Sequence, residues 1–130
     1  MGNRPRDLPP VPTKERFRDA LRILAYSMPK KHRRLLEKHY RSAGHTATAT
    51  ELAKLVDYPD WNSVNLQYGT FAAKLADRMH WTLPPDTQAS YAVAWFEKPD
   101  GPEEHWRWHM HDELVAALEE LRWVTPLQPA

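Results

Sequence analysis

The chain has no cysteine. That excludes a thiol nucleophile, a disulfide framework and every cysteine-based zinc site, and it fits a reducing compartment. No run approaches the roughly 18 apolar residues that a membrane span needs. The opening MGNRPRDLPPVP has no apolar stretch of the kind a secretory signal carries. Gly2 follows Met1, but position 6 is Arg6 rather than Ser or Thr, which speaks against myristoylation. A soluble cytoplasmic protein with no membrane partner is expected. Gly-x-Ser-x-Gly, phosphate-loop and dinucleotide fingerprints are also missing, and pairs such as Glu103/Glu104 and Glu119/Glu120 read as solvated surface. With no nucleophile–base constellation in view, neither an enzyme nor a cofactor is expected.

What is present is a domain-sized chain of 130 residues, long enough to bury roughly two-thirds of its unfolded surface without a metal or disulfide. Hydrophobic residues at 42% and charged residues at 27% are ordinary for a globular protein. Six tryptophans are not, and they need a core or a binding surface. The net charge is only +1, yet residues 1–58 carry 13 Lys/Arg against 6 Asp/Glu, and residues 59–130 carry 5 against 11. Such asymmetry fits either a basic face that meets phosphate or an acidic partner, or solvated helices of mixed sign.

Residues 1–12 hold four prolines and predict a flexible arm, from which Arg4 and Arg6 could follow a groove. Thr13 is a fitting N-cap for a helix with Phe17, Ala20, Leu21, Leu24, Ala25 and Met28 on one stripe. Pro29 opens a second helix, roughly Lys30 to Ser42. It buries Leu35, Leu36 and Tyr40 or His39, and exposes Lys30, Lys31, Arg33, Arg34, Lys38 and Arg41. Gly44 stands where a helix end calls for a left-handed residue.

The centre of the chain is Thr48 to Met79. Thr48 and Glu51 match a capping box for a short helix burying Leu52, Ala53 and Val56, with Leu55 partly buried. Pro59 breaks that helix and Asp60 caps the next, which runs to about Met79. One side of it gathers Val64, Tyr68, Phe71, Leu75 and Met79 with Ala72 and Ala76. The other carries Asn62, Ser63, Leu66, Gln67, Thr70, Ala73 and Lys74. Asn and Gln can pair bidentately with adenine, and Ser, Thr and Lys reach bases or phosphates. Asn62, Ser63, Gln67, Thr70 and Lys74 are therefore the candidates for facing DNA bases, and the Lys/Arg set of the preceding helix the candidates for phosphates. Plain solvent exposure explains both faces as well. Gly69 within this helix costs about 1 kcal/mol against Ala and suggests a close backbone approach.

Farther on, Ser90–Glu97 and Glu104–Met110 predict two strands joined by the turn Lys98–Pro102. Strict alternation puts Trp106, Trp108 and Met110 on the core face. His105, His109 and His111 look at first like a metal set. With no acidic or cysteine ligand at a recognisable spacing, exposed histidines without a metal are the expectation. Asp112 caps a last helix to about Arg122 that buries Leu114, Val115, Leu118 and Leu121.

The predicted class is α+β, mainly α: a winged helix-turn-helix with a two-stranded β-hairpin wing and a C-terminal helix. Residues 1–12 are the arm, 13–124 a single domain and 125–130 a tail. More narrowly, ATELAKLVDYPDWNSVNLQYGTFAAKLADRM resembles winged-helix domains that accompany bacterial HNH-type restriction endonucleases. The likeness rests on Thr50, Leu52, Ala53, Tyr58 and Val64–Gly69, together with the closing Leu121-Arg122-Trp123-Val124, and spans roughly Leu24 to Val124. The resemblance implies a non-catalytic protein that reads double-stranded DNA, modified DNA included, in a restriction or defence context. This chain contains no HNH module, so cleavage would need a nuclease or other protein partner. The alternative is a winged-helix scaffold for protein–protein interaction or homodimerisation, to which the exposed Leu66 and the acidic second half point.

Overall fold

Side-chain caps start three of the helices where the sequence places them. In the computed structural model, which describes residues 4–101 and 105–126, the Thr13 hydroxyl accepts from the Arg16 amide and opens α1 (Lys14–Leu24). Helix α2 (Lys30–Arg41) starts directly after Pro29, which occupies the cap position itself. Thr48 and Glu51 form the full reciprocal capping box of α3 (Ala49–Leu55), at 3.1 and 2.8 Å. The Asp60 carboxylate accepts from the Ser63 amide at 3.1 Å and opens α4 (Trp61–Arg78). Helix α5 (Asp112–Glu120) differs from expectation. Its cap is His111, and Asp112 and Glu113 lie in the first turn, where negative charge complements the helix dipole.

Helix ends use an uncommon device. Asp57, His80 and Arg122 have φ of 60°, 52° and 60°. Each is followed by an amide that reaches back five residues, Tyr58 to Ala53, Trp81 to Ala76 and Trp123 to Leu118. This is the Schellman closure with non-glycine residues in the left-handed position. It ends α3 ahead of Pro59, so the proline follows the turn rather than causing it. Gly44 does take a left-handed φ of 63°, inside a short 3-10 turn after α2.

The sheet is larger than a hairpin. Thr46–Thr48 form β1, which pairs with β3 (Arg107–Met110), and β3 pairs with β2 (Ala94–Glu97). The order is β1-β3-β2, antiparallel throughout. Register sets Ala47 and Phe96 beside Trp108, and Thr46 and Trp95 beside His109. Ser90 to Ala92, expected as the start of a strand, lie instead in a 3-10 turn spanning Ala89–Ala92. Beyond Ala94 the ladder has no partner left, because the His111 amide bonds the Val93 carbonyl and the chain then enters α5. The local bonds Tyr91 to Gln88 and Val93 to Ser90 satisfy the backbone in its place. Residues 102–104, including the expected strand start Glu104, and the residues beyond 126 lie outside the described residues.

One core joins all of this, from Phe17, Leu21, Leu35 and Leu36 through Leu52, Val64, Phe71 and Leu75 to Leu114, Leu118 and Val124. The structure is α+β and mainly helical, with five α-helices and a small three-stranded antiparallel sheet among the described residues. No helix among them is long and apolar enough to cross a membrane. Residues 4–12 lie on this body rather than apart from it. Pro12 is buried, Val11 packs on the core, the Tyr91 hydroxyl donates to the Pro9 carbonyl, and Arg4 pairs with Glu113 at 3.4 Å. Proline has no N–H to satisfy and can lie along an apolar surface at little cost.

Candidate nucleic-acid interface

The wheel of α4 divides as its sequence predicts. Val64, Tyr68, Phe71, Ala72, Leu75, Ala76 and Met79 are all buried. Asn62, Leu66, Thr70, Ala73 and Lys74 are exposed, and Ser63 and Gln67 are half-buried. Among the five base-facing candidates, three side chains are already engaged. The Ser63 hydroxyl donates to Asp60 at 3.2 Å, and the Thr70 hydroxyl donates back to the Leu66 carbonyl at 2.9 Å. Gln67 accepts from the Nε2–H of His32 at 3.0 Å. Asn62 and Lys74 extend into solvent with no ion pair or side-chain hydrogen bond among the described residues.

His32 is the residue that sequence reasoning missed. It is 3% exposed, sits edge-on to Phe71 with ring centroids 5.9 Å apart, and ties α2 to the middle of α4. Burial lowers its pKa, the Gln67 hydrogen bond opposes that, and the nearby charges of Lys74 and Lys31 lower it further. The imidazole is thus neutral at pH 7, flanked by one lysine from each helix. The signal was in the sequence: His32, Leu35, Leu36 and His39 recur at helical spacing, but a histidine in a basic run reads as another solvated cation.

The six phosphate-facing candidates do not act as one cluster. Arg34 lies beside the turn before α4, paired with Asp57 at 3.2 Å, and Lys38 follows one turn later on the same side. Arg33 turns to the opposite flank of α2. Its guanidinium carbon is 4.0 Å from the Trp123 ring centroid and its Nε 3.2 Å from Glu37, a cation–π arrangement with a partner at the far end of the chain. Lys30, Lys31 and Arg41 are exposed, with no ion pair among the described residues. A basic edge made of Lys31, Arg34 and Lys74 therefore borders α4 on its α2 side, and Arg33 is not part of it.

Behind α4, His39 links the helices to the sheet. Its Nε2–H donates to the Trp108 carbonyl at 2.9 Å, so its Nδ1 must accept from the Tyr68 hydroxyl at 2.8 Å. Tyr68 in turn stacks on Trp108 at 5.6 Å. Burial drives the His39 pKa down to about 4.

Of the three histidines expected to be exposed near the second strand, His109 and His111 are instead buried. His109 stacks on Trp95 with centroids 3.9 Å apart, and its ring nitrogens meet Glu97 at 2.9 Å and Thr46 at 2.9 Å. His111 donates to the Tyr91 carbonyl through Nε2 and accepts from Arg4 at Nδ1. The third strand and the tethered arm, neither visible as such in the sequence, cover them. His105 is exposed. Trp106, expected in the core, is 51% exposed; among the described residues the β2–β3 pairing begins at Arg107, so no β2 residue pairs with it.

On the flank of α4 away from α2 lies an open cavity of about 600 Å³. Trp61 and Asn65 of α4, Phe96 and Trp108 of the sheet, and Trp106 and His105 ahead of β3 line it. The loop residues Asp86, Thr87 and Gln88, Tyr91 after them, Ala49 of α3 and the arm residue Leu8 complete its wall. No family model, curated protein or solved structure matches the chain.

Proposed function

We propose that the protein is a non-catalytic DNA-binding domain of the winged-helix kind, with α4 as its reading helix. The observation that carries this reading is the chain order α2-β1-α3-α4-β2-β3 with sheet order β1-β3-β2. That arrangement packs a helix-turn-helix against a small antiparallel sheet and leaves the outer side of its second helix in solvent. The exposed side of α4 offers Asn62 to bases, and the neighbouring edge offers Lys31, Arg34 and Lys74 to phosphates. Recognition of modified DNA on behalf of a nuclease supplied by a partner is the role proposed for it.

Fluorescence anisotropy of a labelled 20-base-pair duplex, titrated at several salt concentrations, tests this proposal. Affinity should fall steeply with salt, since a few phosphate contacts release counterions on binding. Absent or salt-independent binding across a random duplex pool would refute it.

A second reading, the same fold as an interaction scaffold or homodimer, draws on exposed apolar side chains. Leu66 at 66% and Tyr26 at 95% exposure lie uncovered on different elements. Sedimentation showing a monomer at high concentration would remove the homodimer form of that reading.

A further inference from the structure

The cavity beside α4 has a composition that solvent exposure alone does not explain. Trp61 and Trp106 are 44% and 51% exposed, come from different elements, and both line it. Phe96 and Trp108, edge to face at 5.0 Å, form an aromatic wall with them. Around these rings stand an amide from Asn65, an amide from Gln88, a hydroxyl from Thr87, a carboxylate from Asp86 and an imidazole from His105. Flat aromatic surface with donors and acceptors mixed at the rim suits a planar heterocycle carrying its own hydrogen-bonding edge. A cage for a methylated cation would instead call for aromatics with mainly negative partners, and Asp86 is the lone carboxylate among the described lining residues.

Its position gives the second line of reasoning. Asn65 and Gln67 are two residues apart on α4, about 200° around the helix, so the cavity and the basic edge lie on opposite flanks of the same solvent-facing surface. A strand held by Lys31, Arg34 and Lys74 would cross the exposed side of α4 before meeting the cavity.

We propose that this cavity receives one unstacked nucleobase of the bound DNA, held between the indoles of Trp61 and Trp106 and read at its edge by Asn65 and Gln88. This rests on the DNA-binding reading above and adds to it a second recognition element outside the groove. It also gives a route to sensing base modification, since a pocket meets every edge of the extruded base where a helix in a groove meets one.

The test compares three 20-base-pair duplexes by anisotropy: fully paired, with one extrahelical adenine, and with an abasic nucleotide at the same bulge. The abasic bulge reproduces the backbone distortion without the base. The wild type should favour the adenine bulge over the abasic bulge by on the order of tenfold, the scale of one base stacking on aromatic side chains. Trp106→Ala and Trp61→Ala, made separately at these half-exposed positions, should each bring that ratio close to one. Equal affinity for the two bulges, or a preference that survives both substitutions, overturns the pocket and leaves the DNA-binding reading standing. Should no duplex bind, that reading fails, and the cavity is judged on free adenosine and cytidine at millimolar concentration. Shifts confined to the Trp61 and Trp106 indole N–H resonances then support a base site; unmoved indoles overturn it.

Discussion

His32 Nε2 lies 3.0 Å from Gln67 Oε1, and this bond joins the most basic helix to the proposed reading helix. Removing Gln67 would leave a buried, neutral imidazole N–H without its acceptor, which costs about 1–2 kcal/mol. Gln67→Ala should therefore lower the urea midpoint measurably, whereas Asn62→Ala, which removes a solvated amide, should stay within about 0.5 kcal/mol of wild type. Equal, negligible effects of the two would mean that Gln67 is a free groove residue after all.

The division of the Lys/Arg set predicts unequal roles in binding. Lys31→Ala and Lys74→Ala should each weaken DNA binding and reduce the slope of log affinity against log salt by about one. Arg33→Ala, at the face that stacks on Trp123, should leave the slope unchanged and cost some stability through the lost packing. An equal drop in slope for Arg33 and Lys31 would count against a surface confined to one flank of α2.

Gly69 was expected to mark a close approach, yet a Cβ built there meets nothing within 4 Å. Within a regular stretch of α4, Gly69→Ala should stabilise the protein by about 0.5–1 kcal/mol through reduced backbone entropy of the unfolded chain. Thermal unfolding reads this directly. If DNA approaches the helix there, the same variant should bind more weakly while melting higher, which separates a functional glycine from an incidental one.

Acid should destabilise the fold well above the pH at which ordinary carboxylates titrate. Burial lowers both His39 and His111 to about 4. A histidine with a depressed folded-state pKa is protonated first in the unfolded chain. Its stabilisation is therefore present above about pH 6.5 and lost progressively as pH falls toward 4, on the order of 3 kcal/mol per site when complete. Glu97 acts in the same direction: the His109 hydrogen bond, with Arg107 nearby, holds its pKa below the usual value, and that contribution disappears as the carboxylate is protonated. Urea midpoints at pH 7.5, 6 and 5 should fall steadily. His39→Gln should be less stable at pH 7.5 yet show a flatter profile, and a profile as steep as wild type would remove His39 from the account.

Helix positions, three of their caps and the buried stripe of α4 were legible in the sequence because the information they use is local. A Thr or Asp hydrogen-bonds an amide three residues on, and apolar residues at a 3.6 period must turn one way. Thr48–Glu51, Asp60 and the run from Val64 to Met79 behave as such rules require. The strands were less legible. Alternation rightly put Trp106 on the side of Trp108, with which it lines the cavity, but a side chain is buried only where other elements cover it, and among the described residues the ladder stops at Arg107. Ser90–Ala92 has strand composition and no partner, so it turns.

The sequence by itself determined that this chain has no disulfide, where three of its helices begin, which side of α4 is buried, and that its positive charge is concentrated ahead of that helix. Only the tertiary structure decided what those charges and rings face. It added Thr46–Thr48 as the third strand, buried His39, His109 and His111 against partners as many as 107 residues away, sent Arg33 to Trp123 and Arg34 to Asp57, and opened the aromatic cavity between α4 and the sheet. The physical reason is range. Capping and periodicity act over three or four residues, whereas a histidine in a basic run is a solvated cation or a neutral core donor according to which distant groups close over it.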